Sequence, residues 1–99
     1  MDAPDLWVAN DDGTELIRAR DIATVGLDYN GNVTARLVGH EGMVLTLVAH
    51  RTHRDEHKPG DLHRQLLQIL VHLGDSSGAR IVRPVHDQSR GWEWVSEPL

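Results

Sequence analysis

The feature that most constrains this chain is a regular alternation of short apolar runs with turn sequences, interrupted once by an amphipathic helical pattern. The turns combine glycine with aspartate, asparagine or other polar residues, which supply the backbone angles that tight turns need. They lie at residues 11–13, 29–32, 39–42 and 87–91. This pattern predicts an α+β domain in which one helix packs on a mainly antiparallel β-sheet.

Seven apolar runs are candidate strands, and 99 residues suit a single domain spanning positions 1–99. The runs cover residues 6–9, 16–19, 22–27, 33–38, 43–49, 80–85 and 92–95. Arg20-Asp21 interrupts the alternation, which indicates either a bulge or a break into a new strand. We therefore expect five to seven short strands in the order β-β-β-β-α-β-β, with a fifth strand before the helix if the chain breaks there.

Two segments of the predicted sheet allow more specific predictions, one about a turn type and one about the position of a strand. Asn30-Gly31 is the strongest hairpin signal in the chain and predicts a two-residue type I′ turn, in which both residues have positive φ. Residues 43–49 are apolar on nearly both faces. A strand of this kind is usually covered on both sides, so we interpret this segment as the central strand.

The helix is predicted from apolar residues that recur at helical spacing between a start signal and a stop signal. Asp61 is the expected N-cap, and Gly74 the expected left-handed residue that ends the helix. We expect Leu66 and Leu70 to pack against Leu45. The main apolar stripe consists of Leu62, Leu66, Ile69, Leu70 and Leu73.

Leu67 and Val71 extend the apolar arc beyond this stripe. At 100° per residue they lie about 140° and about 180° from Leu62, so apolar residues cover about half of the helix circumference. Packing on one sheet requires an arc of only about 100°. Either another part of the chain covers this flank or a partner does, and we predict that Leu67 and Val71 form an interface.

Composition argues against several classes of function. The net charge is −5, and residues 1–32 carry seven acidic side chains against two arginines. An acidic surface is repelled by phosphate backbones, so nucleic-acid binding is disfavoured. The sequence has no cysteine, no secretory signal and no apolar stretch near the length of a membrane span, which favours a soluble cytoplasmic protein without membrane association.

The His/Arg-rich loop 50–64 is the chemically suggestive segment. Its histidines at spacing i, i+3 and i+7 would share one face of a helix, as the ligands of a zinc site can. These candidates are His50, His53 and His57. Against them, Pro59 interrupts any helix, and Arg51 and Arg54 would repel a cation. We therefore assign neither a metal nor a cofactor, and keep ligand or metal binding by this loop as an alternative.

No catalytic residue is predicted. The serines lie in polar loops or at the tail, and the carboxylates cluster in turns, where they serve backbone geometry. Trp92 and Trp94 share one strand face, which we interpret as core. The sequence thus favours a small protein-interaction or accessory module that is not an enzyme and self-associates or binds a protein partner. A nucleic-acid-associated regulator is the second alternative.

Overall fold

The computed structural model describes residues 6–49, 61–74, 78–87 and 91–99. These residues form seven strands, one 3-10 helix and one α-helix, so the predicted α+β class is confirmed. Five strands precede the α-helix, because the chain does break into a new strand after Arg20-Asp21. The elements are β1 (Leu6–Ala9), β2 (Leu16–Arg18), the 3-10 helix (Ala19–Asp21), β3 (Ile22–Leu27), β4 (Val33–Leu37), β5 (His40–Val48), α1 (Leu62–Leu73), β6 (Arg80–Asp87) and β7 (Gly91–Pro98).

The strands are divided between two sheets rather than joined in one. A four-stranded sheet has the order β2-β1-β6-β7, and a three-stranded sheet has the order β3-β4-β5. The pair β1–β6 is parallel, and the other pairs are antiparallel. The chain passes from the first sheet to the second at the 3-10 helix Ala19–Asp21, where the sequence loses its alternation. The interruption by Arg20-Asp21 therefore marks the crossover between sheets.

The prediction that residues 43–49 form the central strand is wrong. This segment belongs to β5, which is an edge of the three-stranded sheet. Leu37 pairs with His40 and Ala35 with Leu45, so residues 41–44 stand opposite a single residue of β4. This irregular register breaks the period of two that the interpretation assumed. Met43 and Val44 lie in the irregular part and are 62% and 50% exposed.

The Asn30-Gly31 turn is also wound differently from the prediction. Gly31 has φ 84°, whereas no other type of residue in the described ranges has a positive φ. The backbone N–H of Gly31 donates to the carbonyl of Asp28, and that of Asp28 donates to the carbonyl of Asn32. These bonds enclose a three-residue loop. The Asp28 carboxylate also accepts the N–H groups of Asn30 and Asn32, at 2.9 Å each, which favours this longer loop.

Both predicted helix caps differ from the observed ones. Asp61 occupies the N-cap position, but its side chain makes no capping hydrogen bond. Gly74 is right-handed, with φ −58°, and its N–H donates to the carbonyl of Val71. The start of α1 is instead tied to the sheet by the indole Nε1 of Trp94, which donates to the carbonyl oxygen of Leu62 at 2.8 Å.

The core lies between α1 and the inner faces of both sheets. The helix packs on β7, β3 and β4. Leu66 is fully buried, whereas Leu70 and Leu45 are partly buried against the core. The interpretation of the tryptophan pair as core is confirmed, because Trp94 is buried and Trp92 packs against the same cluster. The fully buried large side chains are Val8, Val33, Leu47, Val48, Leu66 and Val82.

Candidate functional site

The helix flank that the sequence singled out is exposed. Leu67 and Val71 are 49% and 79% accessible, although they lie on the same helix as the fully buried Leu66. They are four residues apart and therefore adjacent on the helix surface. Arg64 and Gln68, both exposed, stand beside them on the polar side. We call the surface formed by Leu67 and Val71, with Arg64 and Gln68 at its border, the outer face of α1.

A second candidate site is a groove between the edge strands of the two sheets, and sequence reasoning missed it. Its volume is about 510 Å³. Trp7, Leu16 and Ile17 line it from β1 and β2, and Leu37 and Leu45 line it from β4 and β5. The two walls are far apart in sequence and meet only because the chain crosses between sheets. No local pattern of apolar residues could have indicated this juxtaposition.

Hydrogen bonds connect the two walls of the groove at both ends of β2. At one end, the N–H of Asp11 donates to the carbonyl of Leu47 at 2.7 Å, and the Asp11 carboxylate accepts the N–H of Ala49 at 2.9 Å. At the other end, the N–H of Val38 donates to the carbonyl of Asp21 at 2.8 Å. Asp11 precedes β2 and meets the end of β5, whereas Asp21 follows β2 and meets the residues before β5. The two edge strands therefore run antiparallel on either side of the groove.

Three charged side chains line the groove. The Arg18 guanidinium lies over the Trp7 ring, with its Cζ 5.1 Å from the ring centroid, which is within the range of a cation–π interaction. The Nε atom of Arg18 is buried and has no hydrogen-bond partner within the described ranges. Glu15 and Asp21 also line the groove. An apolar floor with a few charged groups is typical of a binding cleft.

The candidate metal ligands His50, His53 and His57 lie outside the described residues, as does most of loop 50–64. Within the described ranges, no group of three or more His, Cys, Asp or Glu side chains is placed to hold a metal ion. His63, in the first turn of α1, has a buried Nδ1 without a hydrogen-bond partner among the residues described.

Among the described residues, the carboxyl group whose pKa is clearly shifted is that of Asp28, which lies in a turn. The pKa of the Asp28 carboxyl is lowered, chiefly because the backbone N–H of Asn32 donates to it, with weaker contributions from the Asn32 side chain and the N–H groups of Asn30 and Gly31. All of these donors lie in the loop that Asp28 closes. This carboxylate is accounted for by the turn geometry that it stabilises.

No protein-family model, curated protein or solved structure matches this chain. Among the described helices, none is long and apolar enough to cross a membrane.

Proposed function

We propose that this chain is a non-catalytic protein-interaction module that associates with a second copy of itself through the outer face of α1. The observation that carries the proposal is the exposure of Leu67 and Val71 one helical turn apart. Removing such side chains from water is favourable by about 25 cal/mol per Å² of apolar surface. The lack of cysteine fits a reducing compartment and supports a cytoplasmic setting for this activity.

A second copy of this chain is the simplest partner for the apolar outer face of α1. Two identical helices related by a two-fold axis place the same patch on both sides of the contact, so that Leu67 of each copy packs near Val71 of the other. Two apolar side chains per copy form a small contact, well below the roughly 800 Å² per partner of a stable complex. We therefore expect a reversible association that depends on protein concentration.

Sedimentation velocity over a range of concentrations tests the proposal. The double variant Leu67→Glu/Val71→Glu should remain folded, because the buried stripe of α1 is unchanged, and it should sediment as a monomer where the original chain associates. The matched control is Gln65→Glu/His72→Glu, which introduces two glutamates at exposed positions of α1 away from the outer face and keeps both apolar side chains. The control should associate like the original chain.

Two results would overturn the proposal. If the original chain remains monomeric at all concentrations, the outer face of α1 is not a self-association surface. If Leu67→Glu/Val71→Glu melts far below the control, these residues belong to the monomer core instead. Metal analysis of untagged protein and salt-dependent binding to random duplex DNA test the two alternatives, namely a metal-binding loop and a nucleic-acid-associated regulator.

A further inference from the structure

The groove between β2 and β5 exposes hydrogen-bonding backbone as well as side chains. In the β1–β2 pair, the N–H of Asn10 donates to the carbonyl of Glu15. Hydrogen-bonded and non-hydrogen-bonded pairs alternate along antiparallel strands, so the next hydrogen-bonded pair is Val8 with Ile17. The main-chain N–H and C=O groups of Leu16 and the N–H of Arg18 therefore point away from β1, whereas the Arg18 carbonyl caps the 3-10 helix Ala19–Asp21. Because β2 is the edge of its sheet, these groups have no strand partner on the groove side among the residues that the structure describes.

The floor of the groove suits an apolar side chain. Trp7 and Ile17 from one sheet and Leu37 and Leu45 from the other surround a space of about 510 Å³. Leu16, at its border, is 49% exposed. The volume of the groove falls within the several hundred Å³ that are common for ligand-binding clefts.

The charges of the groove favour a basic segment over an acidic one. Glu15 and Asp21 provide two carboxylates, and the whole chain carries a net charge of −5. Arg18 lies against the Trp7 ring, and no carboxylate of the described residues lies within ion-pair distance of it. A main-chain carbonyl of a bound segment would give the Arg18 guanidinium the acceptor that its described neighbours do not supply.

We propose that this groove binds an extended peptide segment of a partner protein in which an apolar residue is flanked by a lysine or arginine. The segment adds to the outer edge of β2 as a further strand, and places its apolar side chain against Trp7 and Leu45. Its basic side chain lies beside Glu15 and Asp21. In strand addition of this kind, main-chain hydrogen bonds provide affinity and side-chain pockets provide specificity. This site is separate from the outer face of α1.

A phage-displayed library of random heptapeptides, selected against the full chain, provides the probe. We expect the enriched peptides to combine apolar and basic residues. A synthetic peptide of the enriched sequence, labelled with a fluorophore, should bind with an affinity at least tenfold lower for the Leu16→Glu variant. The matched control is Leu27→Glu, which changes a 42% exposed leucine of another edge strand, outside the groove. This control should leave the affinity unchanged.

Two further measurements separate strand addition from other modes of binding. N-methylation of alternate backbone amides of the peptide should weaken binding for one set of positions and not for the other, because only one edge of the added strand faces β2. The charge reversal Glu15→Lys/Asp21→Lys should shift the enriched sequences from basic to acidic. This second variant also provides a test if Leu16→Glu does not fold.

Several outcomes would overturn the proposal. These are a library without enrichment, enriched peptides that are acidic for the original chain, and binding that Leu16→Glu leaves intact. Loss of peptide binding in Leu67→Glu/Val71→Glu alone would place the peptide on α1. If Leu16→Glu abolishes self-association, the groove is occupied by a second copy instead. These outcomes do not depend on whether the chain self-associates through the outer face of α1, because they are measured as binding of a peptide.

Discussion

The indole Nε1 of Trp94 donates a buried hydrogen bond of 2.8 Å to the carbonyl oxygen of Leu62. Leu62 is the first residue of α1, and Trp94 lies in β7, which is one of the strands on which the helix packs. The bond therefore fixes the position of the helix start relative to the four-stranded sheet. The ring of Trp94 also belongs to the core, so one residue provides both apolar burial and an orienting contact.

Replacing Trp94 with phenylalanine should reduce the free energy of unfolding by about 1–3 kcal/mol. Phenylalanine retains an aromatic ring but loses the N–H donor and part of the buried volume. Urea denaturation monitored by circular dichroism measures the change. A loss below about 0.5 kcal/mol would show that the hydrogen bond to Leu62 contributes little to stability.

Truncation of two adjacent leucines of α1 should destabilise the protein to very different extents. Leu66→Ala removes a fully buried side chain and should cost about 2–5 kcal/mol. Leu67→Ala removes the same atoms from a half-exposed position and should cost less than about 1 kcal/mol. Both values follow from urea unfolding at a concentration where the protein is monomeric. Equal losses for the two variants would contradict the orientation of the helix described above.

Asp11 should be more important for stability than its neighbour Asp12. The Asp11 carboxylate accepts the partly buried N–H of Ala49 and so joins the β1–β2 loop to the end of β5. Asp11→Ala should cost about 1.5–3 kcal/mol and accelerate hydrogen exchange at Ala49. Asp12→Ala, at an exposed position of the same loop, is the control and should be nearly neutral. Unchanged exchange at Ala49 in Asp11→Ala would show that the link is not formed in solution.

Glycine is required at position 31 but not at position 42. Gly31 has φ 84°, a backbone conformation that valine rarely adopts, so Gly31→Val should destabilise the protein by more than about 1 kcal/mol. Gly42 is exposed, and a Cβ added there would meet no atom within 4 Å. Gly42→Val should therefore be close to neutral. Thermal melts of both variants test this contrast, and similar melting temperatures would exclude the three-residue loop.

The stability contributed by the Asp28 carboxylate should depend on pH. Its pKa in the folded protein is lowered, foremost by the N–H of Asn32, whereas the unfolded chain has the ordinary value near 3.9. The contribution is therefore fully present above about pH 5 and is lost as the pH falls through the lowered folded pKa. Asp28→Asn should be less stable than the original chain at pH 7, and this difference should disappear in acid. A constant difference would contradict the charge effect.

The sequence was sufficient for the features that depend on local patterns. Apolar residues at helical spacing identified α1, because a helix on a sheet must bury a continuous stripe. The same periodicity separated Leu66 from Leu67 and Val71, which the structure exposes. The tryptophans of β7 were correctly interpreted as core because residues two apart share a strand face. These inferences succeed because neighbouring residues are held in a fixed geometry by the backbone.

Contacts between distant segments were decided by the tertiary structure alone. The apolar residues 43–49 predicted a central strand, but sheet order depends on pairing between strands, and β5 became an edge with an irregular register. The groove between β2 and β5 exists because the chain divides into two sheets at Ala19–Asp21. Its walls, including Trp7 and Leu45, come from segments that carry no common pattern. Long-range pairing creates such sites, and a period read along one segment contains no information about the segment opposite it.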